Sequence, residues 1–434
     1  MISPFEERYK TEINEIFDEK NKYRKWMLVE YALAKAWAKL GKIPKDAPDK
    51  IKNAIKKVRP ERIAEIEAEI HHDLMAMVKA LSEQAGDAGK YVHFGATSYD
   101  IEDTATALMF LEAIDIIEDR AQELCSILRT LALAHKKTVC IGRTHGQHAV
   151  PTTYGMKFAL YYQDIKRNIE RLRQARERIA VGKMSGAVGT GATFGKYKSR
   201  LELLVMKELG LSPAKITTQV IQRDRHAEVL FVLALFAASL EKIAKEIRNL
   251  QRTEILEISE PFSAKQVGSS TMPQKRNPHK CERVCSLARF VRANVAVALE
   301  NIPLEHERDL TNSANERIIF SQSFIAVDYM LKQMIFILDG LVFYPENIKK
   351  NIELTNGLIM AERLMIYLTE NGIGRQEAHE KVREAAQYAF ANKKNLKDVV
   401  VERKIITENE AKKIFDYSTY IGEAVKIVEN AVKD

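Results

Sequence analysis

The sequence predicts an all-α protein: three helical domains, with a central bundle of long helices between two domains of shorter ones. Three observations predict it. Glycine (19) and proline (11) together make up about 7% of the 434 residues, against roughly 12% in average usage. A chain so poor in turn-formers has few places to reverse, so its elements are long. Apolar side chains recur every three to four positions through stretches of up to about forty residues, the period of one helix face. The length of 434 residues exceeds what one hydrophobic core usually spans, which calls for two or three domains.

Residues 1–96 read as short helices with breaks and form an N-terminal domain. Trp26–Leu40 carries Leu33, Trp37 and Leu40 at helical spacing and stops at Gly41, a residue free to take the left-handed turn after a helix. IPKDAPDK follows, and then ERIAEIEAEIHHDLMAMVKALSEQAG reads as a helix that ends near Gly86 with a break around His71 and His72. From Thr97 the pattern lengthens. TSYDIEDTATALMFLEAIDIIEDRAQELCSILRTLALAHKK is one helical run, and Thr97 with Asp100 three positions on is a capping-box-like start. Further long runs cover Thr152–Ile179, Arg223–Leu256, Lys280–Leu299 and Asn315–Phe343, so residues 97–343 form the central domain. A helix of about forty residues is about 60 Å long. It needs equally long partners, within the chain or from other subunits. After Pro345 the helices shorten, and residues 344–434 form a C-terminal helical domain.

Composition excludes several function classes. The longest nearly apolar run, Val229–Leu240, is shorter than the 18 or so residues of a membrane span, so no membrane partner is expected. MISPFEERYK is charged early and lacks an apolar h-region, so no secretion signal is expected. Cys125, Cys140, Cys281 and Cys285 are too few for a disulfide framework. A cytoplasmic location follows as the expectation. The net charge of +8 admits either a nucleic-acid binder or an enzyme for an anionic small molecule. Basic residues are mixed with Glu, as in KVREAAQYAFANKKNLKDVVVERK, and aromatics do not recur between them. A base-stacking surface needs that interleaving, so nucleic acid is not expected as a partner.

The chemistry concentrates at the joints between helices. GSSTMPQKRNP, within the loop 263–278, cannot continue a helix; it is either a flexible surface loop or one that offers N–H groups, hydroxyls and the Lys275 ammonium to an anion. THGQH supplies His145 and His148. They read as a general acid or base at a Gly-broken helix start, or as an i,i+3 metal pair for which no third ligand stands out, and no metal is expected. HHD at His71–Asp73 is a second imidazole source with Asp73 beside the ring, or a polar helix face. TSYD puts Thr97 and Ser98 at a helix N-terminus, a ready carboxylate or phosphate site. HERDLTNSANER offers Arg308, Ser313 and Arg317, with a loop implied between the two arginines. No Walker loop, dinucleotide fingerprint or Ser-His-Asp elbow accompanies them. The residues alone point to an anionic substrate and acid–base chemistry.

GSSTMPQKRNP closely resembles the GSSxMPxKxNP signature of the fumarase/aspartase superfamily. ERYK, HHD, HFGATSYDIEDTA, GRTHGQHAVPTT, TTQVIQRDRHAE, ERDLTNSANER and IGRQEAHE, in that order, make the chain similar to the adenylosuccinate lyase family within it. The resemblance implies elimination of fumarate from adenylosuccinate, giving AMP, and from the succinylated aminoimidazole carboxamide ribotide (SAICAR), giving the free amide (AICAR), with no cofactor. It implies Ser269 as general base and His145 as general acid, assisted by His72, Lys275 and Glu282, the last orienting His145. Thr97, Ser98, Lys275 and Asn277 would hold the fumarate carboxylate. Arg8, Tyr9, Arg308, Ser313 and Arg317 resemble the nucleotide and phosphate contacts, and Gln219 and Arg283 also match binding positions. His71 stands where the family often has Arg, beside Asp73, and Ser270 beside Ser269 makes the base assignment a matter of motif register. The resemblance further implies a homotetramer with a core of twenty long helices and active sites shared between subunits. The nearest alternatives are other superfamily members such as argininosuccinate lyase or a carboxymuconate cycloisomerase.

Overall fold

The protein is seen in a computed structural model that describes residues 3–263 and 265–433. Ala264, in the signature loop, lies outside the described residues, as do the end residues of the terminal domains expected above. The chain is mainly helical. Helices α1 (Ile13–Phe17), α2 (Glu19–Lys39), α3 (Ala47–Ile55), α4 (Pro60–Ile70) and α5 (Asp73–Gln84) precede the long α6 (Ser98–Ala134). A hairpin of β1 (Val139–Thr144) and β2 (Gln147–Thr153) leads into α7 (Tyr154–Ile179). Then come α8 (Lys198–Leu209), α9 (Asp224–Leu250), α10 (His279–Glu300) and α11 (Ser313–Asp339), and shorter helices from Pro345 to Ala431. The long runs of the sequence are therefore helices of 37, 26, 27, 22 and 27 residues. None of the described helices is long and apolar enough to cross a membrane.

The break expected at His71 and His72 is real. His71 takes the left-handed conformation (φ 53°) that ends α4, and His72 starts α5, its Nδ1 accepting the Met75 N–H at 3.4 Å. Where a helix start was expected at GRTHGQH, the chain instead forms the β1–β2 hairpin, with Val139 opposite Thr153 and Thr144 opposite Gln147. His145 and Gly146 both have positive φ, 54° and 75°. A two-residue loop needs that to match the twist of its strands. His145 is therefore at a hairpin tip.

The chain folds into two compact units. The first holds residues up to Ala121, Asn168–Leu240 and Ser286–Lys332. Its main core joins Trp26, Leu33, Trp37, Ile51, Leu74, Leu81, Ile101 and Leu201, all buried. Burying each large apolar side chain contributes roughly 1.5–3 kcal/mol before the entropy of ordering it is counted. A second packing point is aromatic: Phe110 lies edge-on to Phe320 at 5.0 Å and Phe324 at 5.1 Å. Arg223, 3% exposed, ties three helices of this unit together. Its guanidinium donates to Asp103 on α6 and Glu316 on α11, both at 2.9 Å.

The second unit holds Gln122–Arg167, Glu241–Cys285 and the chain from Gln333 onward. Buried Glu257 is its polar centre, accepting from Tyr154 Oη at 2.6 Å, from Asn351 Nδ2 at 3.0 Å and from Arg143. These bonds hold the hairpin, through Arg143 near its tip and Tyr154 at its base, to the segment that follows α9. Ile258–Ser259 pairs antiparallel with Val342–Phe343, which fixes where the signature loop begins.

Candidate active site

In the first unit, Asp100 builds the start of α6. Its carboxylate accepts the Thr97 N–H at 2.9 Å, the reciprocal half of a capping box. It also accepts from Lys183 Nζ at 2.5 Å and from the Ser185 N–H at 2.8 Å. Thr97 and Ser98 are thereby set at a helix N-terminus with hydroxyls and N–H dipoles available to an anion. The glycine-rich turn that follows Ser185 closes against the Gln219 segment. A Cβ on Gly189 would fall 2.0 Å from the Thr217 carbonyl oxygen, and Gln219 Nε2 donates to Ala187 O at 3.1 Å.

Beside it, Arg308 lies flat over Tyr99, its guanidinium carbon 3.8 Å from the ring centre. Nη1 donates to Asn312 Oδ1 at 2.9 Å, while buried Nε and Nη2 have no partner among the described residues. Buried N–H groups cost about 1–3 kcal/mol when left unpaired. A cationic surface that carries them can offer them to an anion. Ser313 begins α11, and Arg317 one turn on donates to Asp73 Oδ2 at 2.7 Å. Asp73 is thus committed to Arg317 and to the Leu74 N–H (2.8 Å) and stands 3.8 Å from His72 Nδ1, which caps α5. It does not orient the His72 ring by a hydrogen bond.

Ser313 and Arg317 open into a cavity of about 220 Å³ lined also by Trp26, Tyr99, Glu102 and Phe320. Burial, with Asp73 and Asp103 nearby, pushes the Glu102 carboxyl up to about 8 despite Arg317 and Arg308. Burial raises the Tyr99 hydroxyl to about 12 and holds His226 down to about 3. Asp73 beside Arg317 raises that guanidinium, against its desolvation.

In the second unit, His145 is exposed at the hairpin tip. The signature loop is closed at its neck. Asn277 Nδ2 donates to Gly268 O at 2.9 Å, and a Cβ on Gly268 would fall 2.0 Å from the Lys275 carbonyl oxygen. Only glycine permits that approach. Within the neck, Ser269 Oγ accepts two backbone N–H groups, from Met272 at 3.1 Å and Thr271 at 3.3 Å. Ser270 is exposed, and its hydroxyl lies 3.5 Å from Thr271 Oγ1. The two serines are thereby distinguished: N–H dipoles converge on the first, which is what an oxygen developing negative charge requires. Lys275 is exposed on the loop. Buried Glu260 accepts the Cys281 N–H at 3.1 Å and anchors the start of α10. Glu282, in the first turn of α10, faces Arg248 at 3.8 Å. Within one chain it makes no hydrogen bond to His145. Arg283 follows on α10, half-buried.

The first unit gathers Asp73, Thr97, Ser98, Arg308, Ser313 and Arg317. It does not bring Arg8 and Tyr9 to them. Tyr9 packs on Tyr329 at 5.1 Å, sixteen residues along α11 from Ser313, which is about 24 Å of helix. Sequence reasoning missed Glu102, Asn312 and the Lys183–Asp100 pair. Among the described residues no cluster of His, Cys, Asp and Glu has the makeup of a metal site.

Comparison with known proteins covers most of the chain. Residues 7–292 match the family model described as Lyase, and residues 357–431 match the one described as Adenylosuccinate lyase C-terminus. The chain is 57% identical over 438 residues to adenylosuccinate lyase of Pyrococcus abyssi, covering 99% of this chain and 97% of that one. Adenylosuccinate lyase of Aquifex aeolicus is 45% identical, with 99% of each chain covered. The fold is also that of solved relatives. A fumarate lyase from Mesorhizobium sp. BNC1 superposes with TM-score 0.90 at 32% identity, with 97% of each chain covered. The 3-carboxy-cis,cis-muconate lactonizing enzyme of Pseudomonas putida superposes with TM-score 0.91 at 31% identity over 99% of this chain and 98% of that one. Because relatives with this fold carry different names, the fold alone does not select among them; full-length identity and the C-terminal match do, and they place this chain in the adenylosuccinate lyase family.

Proposed function

We propose that the protein eliminates fumarate from adenylosuccinate, leaving AMP, and from SAICAR, leaving AICAR. The observation that carries the mechanism is the pair of N–H groups aimed at Ser269 Oγ. A carbon-bound hydrogen next to a carboxylate is a weak acid, and a neutral hydroxyl is a poor base for it. Dipoles converging on Oγ stabilise its alkoxide, as does Lys275 nearby on the loop. Ser269 takes the proton, and the C–H electron pair becomes the new C=C bond of fumarate. The C–N pair leaves with the nitrogen, which His145 protonates. Negative charge accumulating on the carboxylate is held by Thr97, Ser98, Lys275 and Asn277. His72 steadies the substrate, and Arg308, Ser313 and Arg317 hold the phosphate, with Gln219 and Arg283 as further contacts. Glu282 orients His145 from another subunit.

The cytoplasm is the proposed location, and the assembly is a homotetramer with shared sites. The separation of Tyr9 from Ser313 supports it, since Arg8 and Tyr9 then serve a neighbouring protomer's phosphate site. Following absorbance with adenylosuccinate and with argininosuccinate tests the reaction. AMP and fumarate are expected from the first and nothing from the second; no AMP overturns the assignment. Mixing inactive Ser269→Ala and His145→Ala proteins, with subunit exchange, is expected to restore measurable activity. No recovery in exchanged tetramers would count against shared sites.

A further inference from the structure

We propose that Glu102 enters the substrate complex as a neutral acid, its O–H donated to a phosphate oxygen held by Ser313 and Arg317. This rests on the phosphate assignment made above and deepens it. Glu102 lines the same cavity as Ser313 and Arg317, yet its carboxyl has neither an ion pair nor a hydrogen bond among the described residues. The charges around it are already engaged. On α5, Asp73 is bound to Arg317 of α11. On α6, Asp103 is bound to Arg223, the residue before α9, which also holds Glu316 of α11. On α2, Lys22 sits 4.9 Å above the Trp26 ring and 3.9 Å from Glu19. Arg308, before α11, is stacked on Tyr99 and bonded to Asn312, and its remaining N–H groups are left for the substrate anion.

An ionised Glu102 would therefore face a phosphate across a largely desolvated cavity with no cation of its own, and the two would repel. A neutral carboxyl reverses the sign of the contact. It donates one hydrogen bond to an oxygen that the two arginines leave available, and a bond to a charged acceptor is among the stronger ones. Burial and the neighbouring acids hold the proton on Glu102 up to about pH 8. Tyr99, raised to about 12, and His226, lowered to about 3, do not change charge near that point. Glu102 titrates there, and phosphate binding should weaken as pH rises through it.

The test is AMP binding by calorimetry to the parent protein and to Glu102→Gln, whose amide donates but cannot ionise. Ionisation of AMP itself is common to both and drops out of the comparison. Between about pH 6.5 and about pH 9 the parent-to-variant ratio of Kd is expected to rise about tenfold, one decade per pH unit past the titration point. Glu102→Met, lacking both donor and charge, should bind AMP more weakly than the parent at about pH 6.5 and track Glu102→Gln in pH response. The steady-state counterpart is an alkaline rise in KM, not in kcat, that Glu102→Gln lacks. A ratio that stays constant with pH while adenylosuccinate is still cleaved overturns the Glu102 role alone. Failure of the parent to bind AMP overturns the phosphate assignment and this proposal with it. Normal AMP behaviour without cleavage of adenylosuccinate would instead overturn the reaction and leave Glu102 in place.

Discussion

Ser269→Ala is expected to lower kcat for adenylosuccinate by roughly 10³–10⁴-fold while leaving KM and the assembled oligomer nearly unchanged. The serine hydroxyl is where Met272 and Thr271 converge their N–H groups, at 3.1 and 3.3 Å. Alanine keeps the backbone and the N–H groups but removes the oxygen they stabilise, so the loss falls on proton abstraction. Neighbouring Ser270 does not replace it, because its hydroxyl is exposed and turned to Thr271 Oγ1. Ser270→Ala is accordingly expected to stay within about tenfold of the parent. Fumarate release under substrate saturation reads both, with size-exclusion chromatography reporting assembly. The assignment is reversed if Ser270→Ala proves the inactive one and Ser269→Ala turns over at more than a tenth of the parent rate.

The contrast between the two serines shows where the sequence was legible and where it was not. The long helices could be read because their apolar period persists far beyond one turn and few residues interrupt it. Their ends moved by a few positions: the run expected to Leu256 stops at Leu250, and the one expected to Phe343 stops at Asp339. Both tails give up the helix for bonds the period cannot reveal, such as the pairing of Ile258 with Phe343. The hairpin is hidden because its tip puts a histidine, His145, at positive φ, where Asn-Gly or Asp-Gly would be the usual turn signal. Ser269 could be named only through its resemblance, since two adjacent serines look alike until the loop is folded. Glu102 was hidden differently. It occupies an ordinary polar position of an amphipathic helix, and what makes it unusual is its burial under segments distant in the chain, with Asp73 brought beside it. Lys183 was hidden by its type, since lysine is almost never fully buried unless paired.

That pairing leads to the largest stability effect expected. Lys183 and Asp100 are both fully buried, Nζ 2.5 Å from the carboxylate. Asp100→Ala and Lys183→Met each break the pair, but they leave different groups behind. Without Asp100, the ammonium is stranded in the core, and the N–H groups of Thr97, Ser185 and Gly186 lose their acceptor as well. A buried charge left alone costs about 3–5 kcal/mol. Without Lys183, the carboxylate still accepts those N–H groups, and bonds of this kind stabilise an ionised acid. The methionine also fills most of the volume. Lys183→Met is expected to cost about 1–2 kcal/mol, within the range of ordinary core substitutions. Denaturation in guanidinium should show this order. Asp100→Ala should also raise KM, because the turn presenting Thr97 and Ser98 loses its bond to the helix start, whereas Lys183→Met leaves that bond intact. Equal destabilisation by the two substitutions would mean that the stranded ammonium finds water or another acceptor, and that the start of α6 is held by its packing instead of by Asp100.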